Sequence, residues 1–375
     1  MSAERAGLYV HIPFCLTRCG YCDFNAYAGL DHLAAPYVDA LSREADLAAD
    51  GWQGIPFTSI FFGGGTPTTL SSATIGSLIE TFRERFTFLP DSEITCEANP
   101  DTVDEVSLAS LREGGVNRLS MGVQSFDADV LASLQRIHSA DSARRAYRAA
   151  RDAGFDNVNL DLIYGAEGES LDSWRSTLEE AVVFRPEHLS CYALTIEPNT
   201  MLGRQMAAGR AQAPDPDRQA DMYELACERL RYAGYRHYEV SNWALPGREC
   251  RHNTGYWEGR PYLGLGAGAH SFRMGRRWWN VRPPHQYMES LAAKRLPIGG
   301  EERIGGADVK LEALLLGLRV DRGVPHSWMP SRVAEDLIER GLGRVRGSRF
   351  ALTDRGMLLA SEVVLAVEGE AIGRS

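Results

Sequence analysis

Long apolar runs are missing from this 375-residue chain: none approaches the ~20 residues a helix needs to cross a bilayer. No membrane anchor is therefore expected. Positive charge is in short supply as well. The 40 Lys and Arg stand against 50 Asp and Glu, a net charge of −10, which argues against a nonspecific nucleic-acid binder. The first residues, Met1-Ser2-Ala3-Glu4-Arg5-Ala6-Gly7, lead into a strand-like run without the apolar h-region of a signal peptide. A cytoplasmic protein is expected, and its reducing surroundings suit free thiols. Cysteine is sparse: seven residues, an odd count that fits poorly with a disulfide framework. Repeats and low-complexity tracts are absent. What remains is an ordinary globular composition, 44% hydrophobic and 24% charged. Its length suits a large domain with smaller ones beside it.

Three of the few cysteines fall within eight residues, Cys15-Leu16-Thr17-Arg18-Cys19-Gly20-Tyr21-Cys22, spaced C-x3-C-x2-C. Three thiolates on one loop can hold three irons of a 4Fe–4S cluster and leave the fourth iron without a protein ligand. An open coordination position marks a reactive metal site rather than a closed structural one. The competing reading is structural zinc, with His11 or a distant residue as fourth ligand. Zinc sites usually pair one C-x2-4-C with another, and here Cys96, Cys191, Cys227 and Cys250 are scattered singly. The iron–sulfur reading is preferred on that ground.

Apolar, β-branched runs alternate with helical patterns. Strands are predicted over 8–14, 58–62, 93–98, 118–123, 157–164 and 188–194. Between them, Ile75, Leu78, Ile79, Phe82 and Phe86 have helical spacing after a start at Ser71 or Ser72. A second helix closes at Gly114-Gly115. Six strand–helix alternations predict an α/β fold with a parallel sheet, either doubly wound or a partial barrel. Ligands of such sheets sit at the C-terminal strand ends. Cys15, Gly64 to Thr66, Glu97 and Gln124 fall at those ends, with Asp161 inside the fifth strand. Strand ends also attract Gly, Asp and Asn simply because they turn.

From Tyr235 to Arg303 the pattern changes to Gly, Trp, Tyr and Pro, as in Gly264-Leu265-Gly266-Ala267-Gly268-Ala269-His270 and Trp278-Trp279. This reads as an extension of the core with long functional loops. Gly300 to Gly306 is a predicted linker. Beyond it come helices over 309–320 and 331–341, a hairpin over 345–352 turning at Gly347-Ser348, and a helix over 354–367. The expected organisation is a core at 1–235, an extension at 236–303 and a winged-helix-like α+β module at 304–375. Arg344, Arg346 and Arg349 on the hairpin are read as a solvated face.

Tyr9-Val10-His11-Ile12-Pro13-Phe14-Cys15, the cysteine loop and Gly63-Gly64-Gly65-Thr66-Pro67 together resemble the radical S-adenosylmethionine (SAM) superfamily. Within it they resemble the branch that holds oxygen-independent coproporphyrinogen III oxidases and HemW heme chaperones. The resemblance spans nearly the whole chain. It implies a partial (βα)6 TIM-like barrel with the small C-terminal module. It also implies a 4Fe–4S cluster on Cys15, Cys19 and Cys22, whose open iron is chelated by the methionine part of SAM. Electron transfer to the sulfonium would then release a 5′-deoxyadenosyl radical, chemistry that the cofactor carries and the protein positions. By motif, Tyr9 and Tyr21 would flank cluster and SAM, while Gly64, Gly65 and Thr66 would bind its methionine end. Glycines there let the backbone approach a ligand. No Gly-Lys-Ser/Thr follows them, which argues against a phosphate loop. Glu97 would meet the amino group or ribose, and Gln124, Arg136 and Asp161 would line the same site.

Three departures separate this chain from the oxidase pattern. Phe24 stands where the oxidase has another cysteine, the N-terminal segment before the cluster loop is short, and His252-Asn253-Thr254-Gly255-Tyr256-Trp257 matches the HNxxYW motif of HemW proteins. The resemblance therefore implies heme as a further ligand, held by His252, with Tyr256 and Trp257 as flat area against the porphyrin. Arg251, or Arg276 and Arg277, would pair with its propionates. A heme-acceptor protein and a reductant such as flavodoxin or ferredoxin are the implied partners. The chaperone is the first expectation, and the radical decarboxylation of propionates by a coproporphyrinogen III oxidase is the second.

Overall fold

The computed structural model describes residues 4–372; residues 1–3 and 373–375, the outermost parts of the expected segments, lie outside the described residues. Six strands run in chain order: β1 Ala6–Ile12, β2 Phe57–Gly64, β3 Phe88–Ala98, β4 Arg118–Gln124, β5 Val158–Tyr164 and β6 His188–Ala193. They pair in parallel, each with the next, from β1 to β6. An order without reversal is singly wound, so of the two α/β options the partial barrel is the one found.

Local chemistry accounts for the elements. Leu8, Val10 and Ile12 are fully buried on β1, and the strand stops before Pro13, which has no N–H to offer a ladder. The predicted strand to residue 14 is thereby split: Phe14–Cys15 pairs separately with Tyr27–Ala28. Helix Ser72–Arg85 starts where the Ser71 side chain accepts from the Thr74 N–H, and buries Ile75, Leu78, Ile79 and Phe82. Helix Glu105–Glu113 is opened by an Asp104–Ser107 capping box and ends at Gly114. Such helices cover the outer face of the sheet. Each large apolar side chain buried there contributes about 1.5–3 kcal/mol; Trp174, wholly enclosed, also donates its indole N–H to the Met222 carbonyl at 2.8 Å.

The stretch after Tyr235, expected to extend the core with long loops, adds six short strands and the helices Arg251–Trp257 and Pro284–Ala292. It contributes β7 Arg236–Glu239, β8 Asn242–Ala244, β9 Tyr262–Leu265, β10 His270–Arg273, β11 Arg276–Asn280 and β12 Ile298–Arg303. The whole sheet has twelve strands in the order β12-β11-β10-β9-β1-β2-β3-β4-β5-β6-β8-β7. The Gly300 to Gly306 segment is thus mostly an edge strand rather than a linker. Cross-strand charge explains the pairing: Arg277 faces Glu302 in register, and their side chains meet at 2.6 Å.

At the C-terminal end, helix Ala307–Gly317 precedes a small sheet of β13 Val324–Pro325, β14 Gly343–Arg346 and β15 Arg349–Leu352, ordered β13-β15-β14. The predicted last helix is broken at Leu359 into Asp354–Leu358 and Ala360–Ile372. The module is stitched to β7: the Val240 N–H donates to the Arg319 carbonyl at 3.1 Å, and His237 meets Asp354 at 3.1 Å.

Candidate functional site

The parallel strands deliver their polar ends to a cavity of about 320 Å3. Cys15, Cys19 and Cys22 line one side; Gly64, Gly65 and Thr66 line another. Tyr21, Glu97, Gln124, Arg136 and Asp161 complete it. Of the residues expected at a SAM site, Tyr9 alone does not line this cavity. Side chains alternate along a strand, and the Tyr9 hydroxyl is engaged with His11 Nδ1 at 3.0 Å. It faces the second cavity described below.

The three thiols are free, and two are tied to their surroundings. Thr66 Oγ1 donates to Cys15 Sγ at 3.6 Å, and Arg136 Nη1 donates to Cys19 Sγ at 3.3 Å. Burial pushes the Cys15 and Cys22 thiols above their ordinary pKa. Without a cation they hold their protons, and a metal cluster would displace them. Donors aimed at sulfur are also what tunes an iron–sulfur centre.

The glycine loop is a cradle that side chains would fill. Gly64 has φ of 112°, and a Cβ there would lie 2.4 Å from the His11 ring. A Cβ on Gly65 would lie 2.6 Å from the Phe14 carbonyl oxygen. The Gly64 N–H donates to Glu97 Oε2 at 3.2 Å. Loss of water, and then the nearby Asp161 carboxylate, push Glu97 up to about 8. Asp161 is raised by the same loss of water, although it accepts from Ser120 and Asn159 at 3.0 and 2.9 Å.

Gln124 sits at the end of β4 with φ of 66°, an uncommon conformation for a side-chain-bearing residue. Among the described residues its buried Oε1 has no hydrogen-bond partner. A buried orphan acceptor beside a cavity matches a ligand's hydroxyl or N–H. Asn99 was not singled out from the sequence, yet it joins both halves of the wall. Its Nδ2 donates to Thr66 at 2.9 Å and its Oδ1 accepts from Arg136 at 2.7 Å. The donor set therefore fits a thiolate-bound cluster with a small zwitterion beside it.

A second cavity of about 1150 Å3 adjoins the first. Phe24, Gly64 and Glu97 line both. Aromatic walls come from Tyr9, Tyr256, Tyr262, Phe272 and Trp279, and helix Ala307–Gly317 adds Val309, Ala313 and Leu316. No single sequence motif spans these segments, so only the fold reveals the cavity.

The structure separates the HNxxYW residues that the sequence groups in one motif. His252 is 3% exposed, and both ring nitrogens are engaged, Nδ1 with Ser59 Oγ and Nε2 with the Tyr256 hydroxyl, each at 2.8 Å. Burial, and then Arg118, lower its pKa to about 3. Neutral imidazole has one donor and one acceptor, and here both are used. His252 therefore presents no free nitrogen to an iron; it holds Tyr256, which does line the large cavity. Trp257 stands away from the lining, its ring 5.9 Å from the Arg319 guanidinium. The arginines proposed for propionates are also occupied: Arg251 by Asp91, Arg276 by Glu301, and Arg277 by Glu302 and Glu312. Cys250 is buried beside Glu93, with its thiol pushed up to about 12 by burial. Among the described residues no helix is long and apolar enough to cross a membrane.

The model of the radical SAM superfamily matches residues 9–181. The heme chaperone HemW of Mycobacterium tuberculosis (strain ATCC 25618 / H37Rv) is 42% identical, over 98% of this chain and 96% of that protein. The heme chaperone HemW of Escherichia coli (strain K12) is 40% identical, over 75% of each. Among solved structures, the radical SAM enzyme coproporphyrinogen III oxidase (HemN) from Escherichia coli is 26% identical with a TM-score of 0.84. The alignment covers 97% of this chain and 90% of that one.

Proposed function

The chain belongs to the HemW family of the radical SAM superfamily, and from that premise we propose that it is a heme chaperone. In this reading Cys15, Cys19 and Cys22 hold a 4Fe–4S cluster. Gly64, Gly65 and Thr66 take the methionine end of SAM, Glu97 its amino group or ribose, and Gln124 and Asp161 the groups beyond it. A cluster held there would, once reduced, supply an electron to SAM's sulfonium. The chain's own contribution is to orient and exclude water: Arg136, held by Asn99, donates directly to Cys19 Sγ, and Tyr21 closes the wall. Heme is cargo in the larger cavity, to be passed to an acceptor protein, and a flavodoxin- or ferredoxin-type reductant would serve the cluster.

One observation carries this reading. A cavity large and aromatic enough for a porphyrin shares Phe24, Gly64 and Glu97 with the three-cysteine cavity. Flat apolar walls with a few polar groups are what a planar, mostly apolar ligand needs. The test is hemin titration of anaerobically reconstituted protein, followed by transfer to apo-acceptor proteins. Saturable binding at one heme per chain and transfer support the chaperone; no binding contradicts it.

The likeness to HemN favours a second reading, decarboxylation of coproporphyrinogen III propionates. Phe24 at the junction of the cavities, where the oxidase pattern has cysteine, weighs against it. Conversion of coproporphyrinogen III by purified protein with SAM and a reductant would decide for the oxidase.

A further inference from the structure

We propose that His270 ligates the iron of the porphyrin held in the larger cavity, and that Arg282 pairs with one of its carboxylates. This rests on the heme reading above and assigns the groups that hold the cargo.

Two histidines line that cavity, His11 and His270. His11 is spent: its Nε2–H donates to the Asn25 carbonyl at 2.9 Å, and its Nδ1 accepts from the Tyr9 hydroxyl at 3.0 Å. His252 is walled off behind Tyr256 with both nitrogens engaged. His270 differs from both. It opens β10, is exposed to the cavity, and among the described residues its ring makes no hydrogen bond. A stacked Trp279 ring, 5.6 Å away and inclined by 27°, holds its plane. The two residues face each other in the β10–β11 register, so the imidazole sits on a rigid strand pair rather than a loop. Partial loss of water, and then Arg277 and Arg282, lower its pKa while Glu302 opposes them. The neutral form, the one that ligates iron, is thereby favoured.

The charge on the walls points the same way. Arg277 is committed to Glu302 and Glu312. Arg282 also lines the cavity, and among the described residues its guanidinium makes no ion pair. An uncommitted arginine near an open imidazole, against aromatic walls, matches a ligand that is flat, metal-bearing and carboxylated.

The experiment titrates hemin into full-length protein and follows the Soret band, comparing wild type with His270→Ala, His270→Met, Arg282→Ala and His252→Ala. The expected results are a loss of the histidine-ligated spectrum with about tenfold or greater weakening in His270→Ala, and a shifted band in His270→Met. Arg282→Ala is expected to weaken binding by about five- to tenfold without moving the band. His252→Ala keeps the wild-type band position. His270 is exposed, so circular dichroism and cluster content of its variants should match wild type. A wild-type spectrum in both His270 variants, or loss of the ligand band in His252→Ala alone, overturns the assignment and leaves the chaperone reading standing. Failure of the wild type to bind hemin overturns both.

Discussion

The two adjoining cavities are built in opposite ways. The smaller one is walled by the C-terminal ends of parallel strands, and its groups hold one another: Thr66 and Arg136 reach two of the sulfurs, and Asn99 ties both together. The larger one is assembled from β1, the β9–β11 edge and a helix after residue 306, and its polar groups of interest, His270 and Arg282, are left open. A cofactor that stays suits the first construction, since a prepaid network keeps ligands oriented. A cargo that must leave suits the second, where little beyond flat apolar contact and a few polar groups holds it.

That contrast can be broken most severely at the cysteines. Replacing Cys19 with Ala is expected to abolish cluster assembly, read as iron and sulfide per chain, while leaving hemin affinity within about threefold of wild type. Equal loss at both sites would mean that the cavities are one unit. Next in size is the glycine cradle. Gly64→Ala places a methyl against the His11 ring at a positive φ and should cost about 1–3 kcal/mol in a denaturant titration. Gly259, on the larger cavity with φ of 66°, has open space around its Cβ position. Its Ala variant should cost only about 1 kcal/mol.

A pH series sharpens the comparison further. In the free protein Glu97 keeps its proton up to about pH 8 because it has lost water and sits near Asp161. An N–H or O–H donor of SAM placed there favours the carboxylate and expels that proton. SAM affinity should therefore rise as pH climbs toward 8 and level off above it, by at most about tenfold per pH unit. Glu97→Gln should bind more weakly and lose this slope, as isothermal titration in two buffers would show. At Gln124 the smallest change in stability is expected. Glycine tolerates its φ of 66°, so Gln124→Gly should leave stability unchanged or raise it by up to about 1 kcal/mol. SAM binding should weaken by about tenfold as its buried oxygen disappears.

The same contrast explains what could be read in advance. Cysteine spacing, the glycine run and Glu97 were legible because each is a short motif at a strand end, where a parallel sheet collects its ligands. Asn99 was overlooked although it stands two residues from Glu97, since hydrogen bonds between strand ends leave no periodic trace. Strands β9 to β12 lie where composition predicts long loops and a linker: they are four to six residues long and rich in Gly, Arg and Trp, so neither alternation nor β-branching marks them. His270 was hidden at the end of a glycine run, and its openness depends on Trp279 across a strand pair. His252 shows the other side of the same limit. Its motif suggested a ligand, while its burial and two filled nitrogens belong to tertiary packing.

Electron paramagnetic resonance of the anaerobically reconstituted, reduced protein, with and without SAM, tests the central claim most directly. A three-thiolate cluster with a vacant iron predicts a 4Fe–4S signal that SAM visibly changes, alongside near-stoichiometric iron and sulfide. Zinc in place of iron, or a cluster signal indifferent to SAM, would contradict it.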